Sequence, residues 1–331
     1  MGKRFSKAFK TKDSALAFYV NQLENLDRRL YMPLTSVSWS RDIKLRAGIV
    51  MDDESTSFIQ SQFAAGGSLT QGNGSASPGV GGNMPWISPE TSALLGVSID
   101  GNKVTSPLRL LGREISFTSV ELNRSQRLGQ PIDAQKTDAM NILYQMNTDQ
   151  MVYIGAPEDQ ATGLLNSPLV TSGSVALGAS GFTQWINKTP DEMLEDVNSL
   201  IESTWSASAF AVCPSELRLP PFQYSLICTQ KVSSAGNVSV IKYLEENSIS
   251  LRVNGKALNI QPIKWLTARG SASADRMMCY TNEEMRVRFP MVPIRRETAY
   301  YHGIRFTAPY IWAFGITEFP YPETLQYADG I

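Results

Sequence analysis

Residues 63–88 have the sequence FAAGGSLTQGNGSASPGVGGNMPWIS, with seven glycines between Gly66 and Gly82 and no charged side chain. A phosphate-binding loop needs glycines at fixed offsets, as in GxGxxG or GxxxxGK[ST], and neither pattern is present. The composition fits a flexible linker between two domains. It also fits the tip of a long two-stranded arm, where glycine allows the backbone to turn and to approach a neighbouring surface closely.

The segments on either side of this stretch favour the arm over the linker. DESTSFIQSQF (53–63) and VTSPLRLLGREISFTSVEL (104–122) are rich in Thr, Val, Ile and Phe, as strands are. Between them, VSIDGNKVT (97–105) contains an Asp-Gly pair that predicts a turn between two short strands.

A long arm needs a surface to lie on. From Arg46 to Phe63 an extended chain reaches on the order of 60 Å at about 3.3 Å per residue. A hairpin without a core of its own is only marginally stable in water, so we expect this one to lie on another subunit. The residues expected to make that contact are Phe63, Gly66, Gly67, Gly74, Gly82 and Trp86.

Length and composition indicate a folded chain. With 331 residues and a hydrophobic fraction of 42%, it has material for one large or two ordinary domains. We expect neither a standard secretion signal nor a membrane anchor, because no stretch approaches the roughly 18 apolar residues of a membrane span. The net charge of −1 does not indicate a nucleic-acid or membrane partner. The three cysteines are too few and too widely spaced for a disulfide framework.

Residues suited to catalysis or metal binding are scarce. The single histidine, His302, excludes multi-histidine metal sites, and its aromatic, strand-like surroundings favour a structural role. Asp52, Asp53 and Glu54 are consecutive and lack the shaped loop that a cation site needs, so we expect a solvated turn. We therefore predict no catalytic, cofactor-binding or metal-binding residues. An intracellular hydrolase that uses Asp or Glu side chains stays open as a second function, since spacing alone does not identify such pairs.

Three helices are predicted from periodicity and capping. The first, over residues 14–30, has an apolar stripe suited to packing. The second runs from about Asp133 to Ile154, and Gly155 follows it. The third begins with Thr189 as N-cap, Pro190 in the first turn and Glu192 completing a capping box. The apolar stripe of the first helix consists of Leu16, Tyr19, Leu23, Leu26 and Leu30.

Shorter elements complete an α+β chain. SAFAVCP (208–214) predicts a buried strand, and NVSVIKYLEENS a helix capped by Asn237. ISLRVNGKALNI predicts a hairpin around Asn254 and Gly255. The run from Tyr310 to Ile316 is apolar on both faces, which is typical of a strand covered on both sides.

The order of several segments resembles a known family. Five segments carry this resemblance: FYVNQLENLDRRLYMPLTSVSWSRDIKLR, MDDESTSFI, the long segment from PLRLLGREISFTSVEL to NTDQMVYIG, GLLNSP and NKTPDEMLEDVNSLI. They follow one another as they do in major capsid proteins of tailed bacteriophages. These proteins have the Hong Kong 97 phage capsid fold. The resemblance covers nearly the whole chain, including the closing aromatic strands.

The resemblance implies a division of the chain and a structural function. Copies would form hexamers and pentamers of an icosahedral shell around packaged double-stranded DNA, in the virion after assembly in the bacterial cytoplasm. The implied parts are an N-terminal arm at 1–45, an extended loop at 46–112, a peripheral domain with a spine helix at 113–185, an axial domain at 186–295 and C-terminal strands at 296–331 that return to the peripheral domain.

The implied partners are further copies of the chain and other phage components. Fewer than 50 residues precede the extended loop, too few for a fused scaffolding domain, so we expect a separate scaffolding protein together with a portal and a possible decoration protein. Contact with DNA is expected to be weak and nonspecific. The basic tail (Lys3, Arg4, Lys7, Lys10 and Lys12) is either a solvated terminus or a contact for nucleic acid or scaffold. An encapsulin-like cargo shell and a tail or fibre protein are two further candidate functions.

Overall fold

The computed structural model describes residues 35–65, 97–128, 132–156, 158, 161–232 and 236–331. The predicted first helix, with Leu16, Tyr19, Leu23, Leu26 and Leu30, lies outside these residues. So does the tip of the predicted arm, with Gly66, Gly67, Gly74, Gly82 and Trp86. Phe63 lies on a described strand, paired with Ile99.

The described chain contains runs of strands and runs of helices. The helices are α1 (Trp39–Asp42), α2 (Ser119–Leu128), α3 (Ile132–Tyr153), α4 (Pro190–Ala207), α5 (Pro221–Thr229), α6 (Val240–Asn247) and α7 (Ile249–Asn254). The first strands are β1 (Lys44–Leu45), β2 (Ser55–Ala65), β3 (Val97–Pro107), β4 (Arg109–Thr118), β5 (Thr171–Ser174), β6 (Glu216–Leu219) and β7 (Asn259–Pro262). The later strands are β8 (Arg276–Tyr280), β9 (Arg288–Phe289), β10 (Met291–Arg296), β11 (Tyr300–His302), β12 (Arg305–Phe314) and β13 (Leu325–Asp329).

The strands form two larger sheets and two pairs. One sheet has the order β5-β13-β8-β6-β7. In the other, β12 pairs with β4 along one edge and with β10 and β11 along the opposite edge. β1 pairs with β9, and β2 pairs with β3 in an antiparallel ribbon that extends from Ser55↔Pro107 to Ala65↔Val97.

The five-stranded sheet separates two hydrophobic cores. Along β8, Met278 and Tyr280 face a core around helix α3 and strand β12, whereas Met277 and Cys279 face a core around helix α4. We call these the α3 core and the α4 core. Because side chains of a strand alternate between faces, one sheet serves both cores and joins them into one hydrophobic body. Burial of each large apolar side chain stabilises the fold by about 1.5–3 kcal/mol.

The predicted second and third helices are confirmed. The second is α3, and the chain leaves it through Gly155 at a φ of +78°, where a Cβ would lie 2.1 Å from the Ala161 carbonyl oxygen. Only glycine fits this position. The third is α4, where the Thr189 hydroxyl accepts from the Glu192 N–H and the Glu192 carboxylate accepts from the Thr189 N–H, as in a capping box.

The hairpin predicted at Asn254 and Gly255 is wrong. These residues end helix α7, where Gly255 has a φ of +68° and its N–H donates to the Leu251 carbonyl. A left-handed glycine suits a helix C-terminus as well as a hairpin turn. The Asn254 side chain donates to the Cys213 carbonyl at 2.9 Å, so tertiary contacts select the helix.

Three other local predictions are corrected. The segment Ser208–Pro214 is a turn, not a strand, because Ala209 and Phe210 have positive φ angles. Helix α6 begins after Ser239, while the Asn237 side chain accepts from Lys231 at 2.7 Å. The Asp100-Gly101 pair makes no turn, because both residues pair with β2 within the continuous strand β3.

The prediction for the closing aromatic strand is confirmed. In β12, Tyr310, Trp312, Ala313 and Phe314 are all buried. Tyr144 of α3 packs edge-on against Trp312 at 5.7 Å between ring centroids. Helix α3 therefore covers one face of the strand, and on the other face Ala313 packs in a cluster with Leu108 and Val292, which accounts for the continuous apolar sequence.

Candidate assembly site

The β2–β3 ribbon is the most extended feature of the described chain. Each strand has 11 residues, and the pairing continues without a break over the full length. The described contacts of β2 with the rest of the subunit lie near its start: the Ser57 carbonyl accepts from Arg46, and the Gln60 side chain donates to the Pro320 carbonyl. Ile59 is 72% exposed. The ribbon is thus fixed at its root, and exposed apolar surface lies between the two anchors, at Ile59.

A buried carboxylate fixes the root of the ribbon. The Glu318 side chain is 1% exposed and accepts from Arg46 at 2.6 Å and from Arg288 at 2.7 Å. The Arg288 guanidinium also lies 5.7 Å from the ring centroid of Phe58 on β2. A carboxylate tolerates such burial only when it is paired, so these three charged groups form a unit. They set the position of the ribbon root relative to the body.

The segment before the ribbon is anchored by Asp149 of helix α3. Its carboxylate accepts from the backbone N–H groups of Ser38 and Trp39 at 2.9 and 3.2 Å, which leads the chain into α1. The Trp265 indole N–H donates to the other oxygen at 2.7 Å. Lys264 lies 3.2 Å away and also donates to the Ser36 carbonyl.

A second carboxylate, Asp42, links the same segment to the five-stranded sheet. It accepts from Arg218 Nε at 2.8 Å, and both side chains are fully buried. The Tyr153 hydroxyl of α3 also donates to Asp42, and burial together with this negative charge raises the Tyr153 pKa. The Tyr280 hydroxyl donates to the Asp42 carbonyl at 2.6 Å, and burial raises the Tyr280 pKa. Residues 38–43 are therefore connected to both α3 and β6 through neutral tyrosines and paired charges.

None of these anchoring residues was predicted from the sequence. Asp42, Asp149, Arg218 and Glu318 come from distant segments, and their partnership depends on the tertiary fold. One signal was present, since Arg218 interrupts the apolar strand sequence ELRLP and Glu318 the sequence ITEFP. A charge within a buried apolar segment predicts a buried partner without identifying it.

The residues considered for chemistry lie in ordinary surroundings. His302 is exposed on β11, and Asp53 accepts from the Val50 N–H within an exposed turn. Among the described residues, no three His, Cys, Asp or Glu side chains converge to hold a metal ion. In the same part of the chain, no helix combines the length and the apolar character needed to cross a bilayer.

An open groove beside α4 contains three acidic residues, of which Glu192 and Asp196 are already engaged. Its volume is about 450 Å³, and Glu192, Glu195 and Asp196 line it. Asp196 accepts from Lys188 at 2.6 Å and from the Trp185 indole. Burial raises the Asp196 pKa, and the Lys188 hydrogen bond opposes that shift. With Glu192 in the capping box, the groove does not offer a free carboxylate pair for acid–base chemistry.

Comparison with known proteins gives one family model and several solved structures that concern capsids. The family model described as "Major capsid protein" matches residues 82–331. No curated protein sequence matches the chain. Among solved structures, the capsid of Myoviridae Phage XM1 is similar with a TM-score of 0.71 and 14% identity, over 94% of this chain and 98% of that chain.

Two further structures extend the comparison. The capsid of the native GTA particle has a TM-score of 0.60 and 13% identity, over 96% of this chain and 99% of that chain. A virus-like particle from Pyrococcus furiosus has a TM-score of 0.50 and 13% identity, over 96% of this chain and 97% of that chain. At these identities the similarity concerns the fold.

Proposed function

Because the chain belongs to the major capsid protein family, we propose that its copies form hexamers and pentamers of an icosahedral shell that encloses double-stranded phage DNA. The family and the Hong Kong 97 fold make it the structural subunit of a phage-type shell. A shell is built from repeated weak contacts, and each subunit needs surfaces that reach its neighbours.

The β2–β3 ribbon is the observation that carries the assembly proposal. It continues the pairing over 11 residues, and its described anchors lie near the root. A two-stranded ribbon gains little stability in water without a supporting surface. A neighbouring copy supplies that surface in the proposed rings. Phe63 and the residues around Gly66, Gly67, Gly74, Gly82 and Trp86 would then contact the neighbour.

The domain division is part of the proposal. Residues 1–45 serve as the arm, 46–112 as the extended loop, 113–185 as the peripheral domain and 186–295 as the axial domain, before the strands of 296–331. The stripe of Leu16, Tyr19, Leu23, Leu26 and Leu30 would pack the arm. The anchors at Asp42 and Asp149 support a defined exit for that arm, since they hold residues 38–43 against α3 and β6.

The proposed partners follow from the shell. A separate scaffolding protein directs assembly in the bacterial cytoplasm, a portal occupies one vertex, and a decoration protein is a further candidate. DNA contact is weak and nonspecific, in line with a net charge of −1. Assembled copies of the chain are then located in the capsid of the virion.

Deleting Ala64–Gly82 tests the role of the ribbon. We expect the variant to fold, because the residues removed lie beyond the anchors of Ser57 and Gln60. We expect it to form at least tenfold fewer shells, measured by sedimentation and electron microscopy with the scaffolding protein present. The full-length chain under the same conditions is the control. Normal shells from a folded deletion variant would contradict the proposed role.

A cargo shell is the second candidate function. The similarity to the virus-like particle from Pyrococcus furiosus favours it, because that particle shares the fold over nearly the whole chain. The contents of purified shells discriminate between the two functions. Double-stranded DNA supports the phage capsid, and a single enclosed protein species supports the cargo shell.

A further inference from the structure

Helix α3 has a second apolar stripe besides the one that packs in the α3 core. Met140 and Tyr144 belong to that core. The second stripe follows the i, i+3, i+4 and i+7 spacing of one helix face and consists of Ala139, Ile142, Leu143 and Met146. None of these four residues belongs to a hydrophobic core of the described chain, and Leu143 and Met146 are 40% and 42% exposed. A helix that is apolar on two sides is typical of one that is covered on both.

A groove beside the second stripe provides space for further side chains. It lies between helix α3 and strand β4 and has a volume of about 420 Å³. Ala139 and Leu143 line it from the helix, and residues 113–116 line it from the strand. The stripe therefore adjoins a space that apolar side chains of one more element can occupy.

The described chain begins next to this stripe. The Ser36 carbonyl accepts from Lys264 at 2.6 Å, and the Trp39 indole N–H donates to the Gln145 side chain of α3 at 2.9 Å. Gln145 directly precedes Met146, the last residue of the stripe. Six residues connect Leu30 to Ser36, and an extended chain of that length spans about 20 Å. Leu30 can therefore reach Met146 of its own copy.

The spacing of the predicted first helix matches the spacing of the stripe. Steps of four, three and four residues join the positions Tyr19, Leu23, Leu26 and Leu30. The same steps join Gln135, Ala139, Ile142 and Met146 of α3. Each set spans about 17 Å at 1.5 Å per residue of helix. Two helices that run in the same direction with this spacing pack side by side in register, as in a coiled coil.

Charges at the start of α3 favour the same arrangement. Asp133 and Asp138 are exposed, and neither carboxylate has an ion-pair partner among the described residues. When Leu30 lies at Met146 and the helices run in the same direction, Lys10 and Lys12 lie near this end of α3. Opposite charges then meet, whereas the reverse direction would take these lysines away from both carboxylates.

We propose that residues 14–30 pack as a helix along the stripe of Ala139, Ile142, Leu143 and Met146 in their own copy, in the same direction as α3. The inference rests on the proposed arm at residues 1–45 and does not require shell formation. The short connection to Ser36 keeps the segment at a high effective concentration beside α3, which favours the same copy over a second one. The arm thereby covers apolar surface of the unassembled subunit.

Hydrogen exchange in unassembled wild-type subunits tests the packing directly. We expect the amides of residues 23–30 to exchange at least ~100-fold more slowly than in a peptide of residues 1–34, because an isolated helix of this length is marginal in water. Equal exchange in the subunit and the peptide would overturn the proposal. Protected subunits that never form shells would contradict the proposed function and leave this inference intact.

Two matched variants test the surface on α3. Leu143→Glu places a charge on the stripe, and we expect the amides of residues 23–30 to lose their protection. Asn141→Glu adds the same charge at an exposed position on the opposite side of α3 and should keep the protection of the wild type. Unchanged protection in a folded Leu143→Glu variant would overturn the assignment. If that variant does not fold, the exchange measurement on the wild type decides.

Disulfide formation tests the register and the choice of copy. Leu30→Cys and Met146→Cys are combined in a Cys228→Ser background, and unassembled subunits are treated with oxidised glutathione. We expect an intramolecular disulfide between positions 30 and 146, located by peptide mapping in subunits of monomer mass. The control pairs Arg28→Cys with Met146→Cys and should form at least tenfold less, because position 28 lies on the opposite face of the predicted helix. Disulfide-linked dimers in place of the monomer product would overturn the assignment to the same copy.

Discussion

At the scale of single residues, the Asp42 carboxylate joins strand β6 to helix α3 through Arg218 and Tyr153. It is fully buried beside Arg218, which is also fully buried. Replacing one member of a buried ion pair leaves the other charge without adequate compensation. Asp42→Asn should therefore destabilise the subunit by about 3 kcal/mol, near the lower end of the usual range because Glu216 also pairs with Arg218. Urea unfolding of unassembled subunits measures the effect.

The matched control for this substitution is Asp52→Asn. Asp52 is an exposed carboxylate in a turn, and the same change there should alter the free energy of unfolding by less than about 0.5 kcal/mol. Equal effects of the two substitutions would show that the Asp42 network contributes little.

The three cysteines differ in reactivity. Cys213 and Cys279 are buried, and burial raises the pKa of both thiols, whereas Cys228 is exposed. The thiolate is the reactive form, so a thiol reagent at neutral pH should label one cysteine per native subunit, and peptide mapping should locate it at Cys228. Unfolding should expose all three. Rapid native labelling of Cys279 would contradict the buried position.

At the scale of elements, the capping box of α4 offers a local test. Thr189→Ala removes the hydroxyl that accepts from the Glu192 N–H and should destabilise the subunit by about 1 kcal/mol. Thr171→Ala on the exposed edge strand β5 is the control and should have little effect. Thermal unfolding compares the two, and a larger loss for the control would refute the capping role.

Elements with complete local signals were predictable. Thr189, Pro190 and Glu192 together specify where α4 begins, and the structure begins the helix there. The Asn254-Gly255 pair carries an ambiguous signal, because a left-handed glycine ends a helix or closes a hairpin equally well. In β3, continuous pairing with β2 overrides the turn preference of Asp100 and Gly101. Local propensity therefore does not predict the structure of a segment whose conformation is determined by pairing with a distant strand.

At the scale of the whole molecule, the shared sheet should make the subunit unfold as one unit. Leu164 of the α3 core and Leu217 of the α4 core are both fully buried. Leu164→Ala and Leu217→Ala should each destabilise by about 2–5 kcal/mol. Each substitution should lower the midpoint of one and the same unfolding transition, monitored by far-UV and near-UV circular dichroism. Two separate transitions would show that the cores unfold independently.

The architecture was predictable as a class and as a family resemblance, while the anchors were not. Segment order indicated the capsid fold, and helix periodicity located α3 and α4. The pairing of Asp42 with Arg218 joins residues 176 positions apart, and no local pattern contains that information. Candidate assembly residues that lie outside the described chain remain predictions.

Strand β13 has a consequence for how the subunit is made. It lies between β5 and β8 in the five-stranded sheet, although β5 precedes it by about 150 residues of chain. During synthesis, β5 lacks its one partner among the described strands until Leu325–Asp329 leave the ribosome. A subunit interrupted before that strand keeps an open gap in the sheet that both cores share. Subunits truncated before Leu325 should therefore fail to complete the five-stranded sheet.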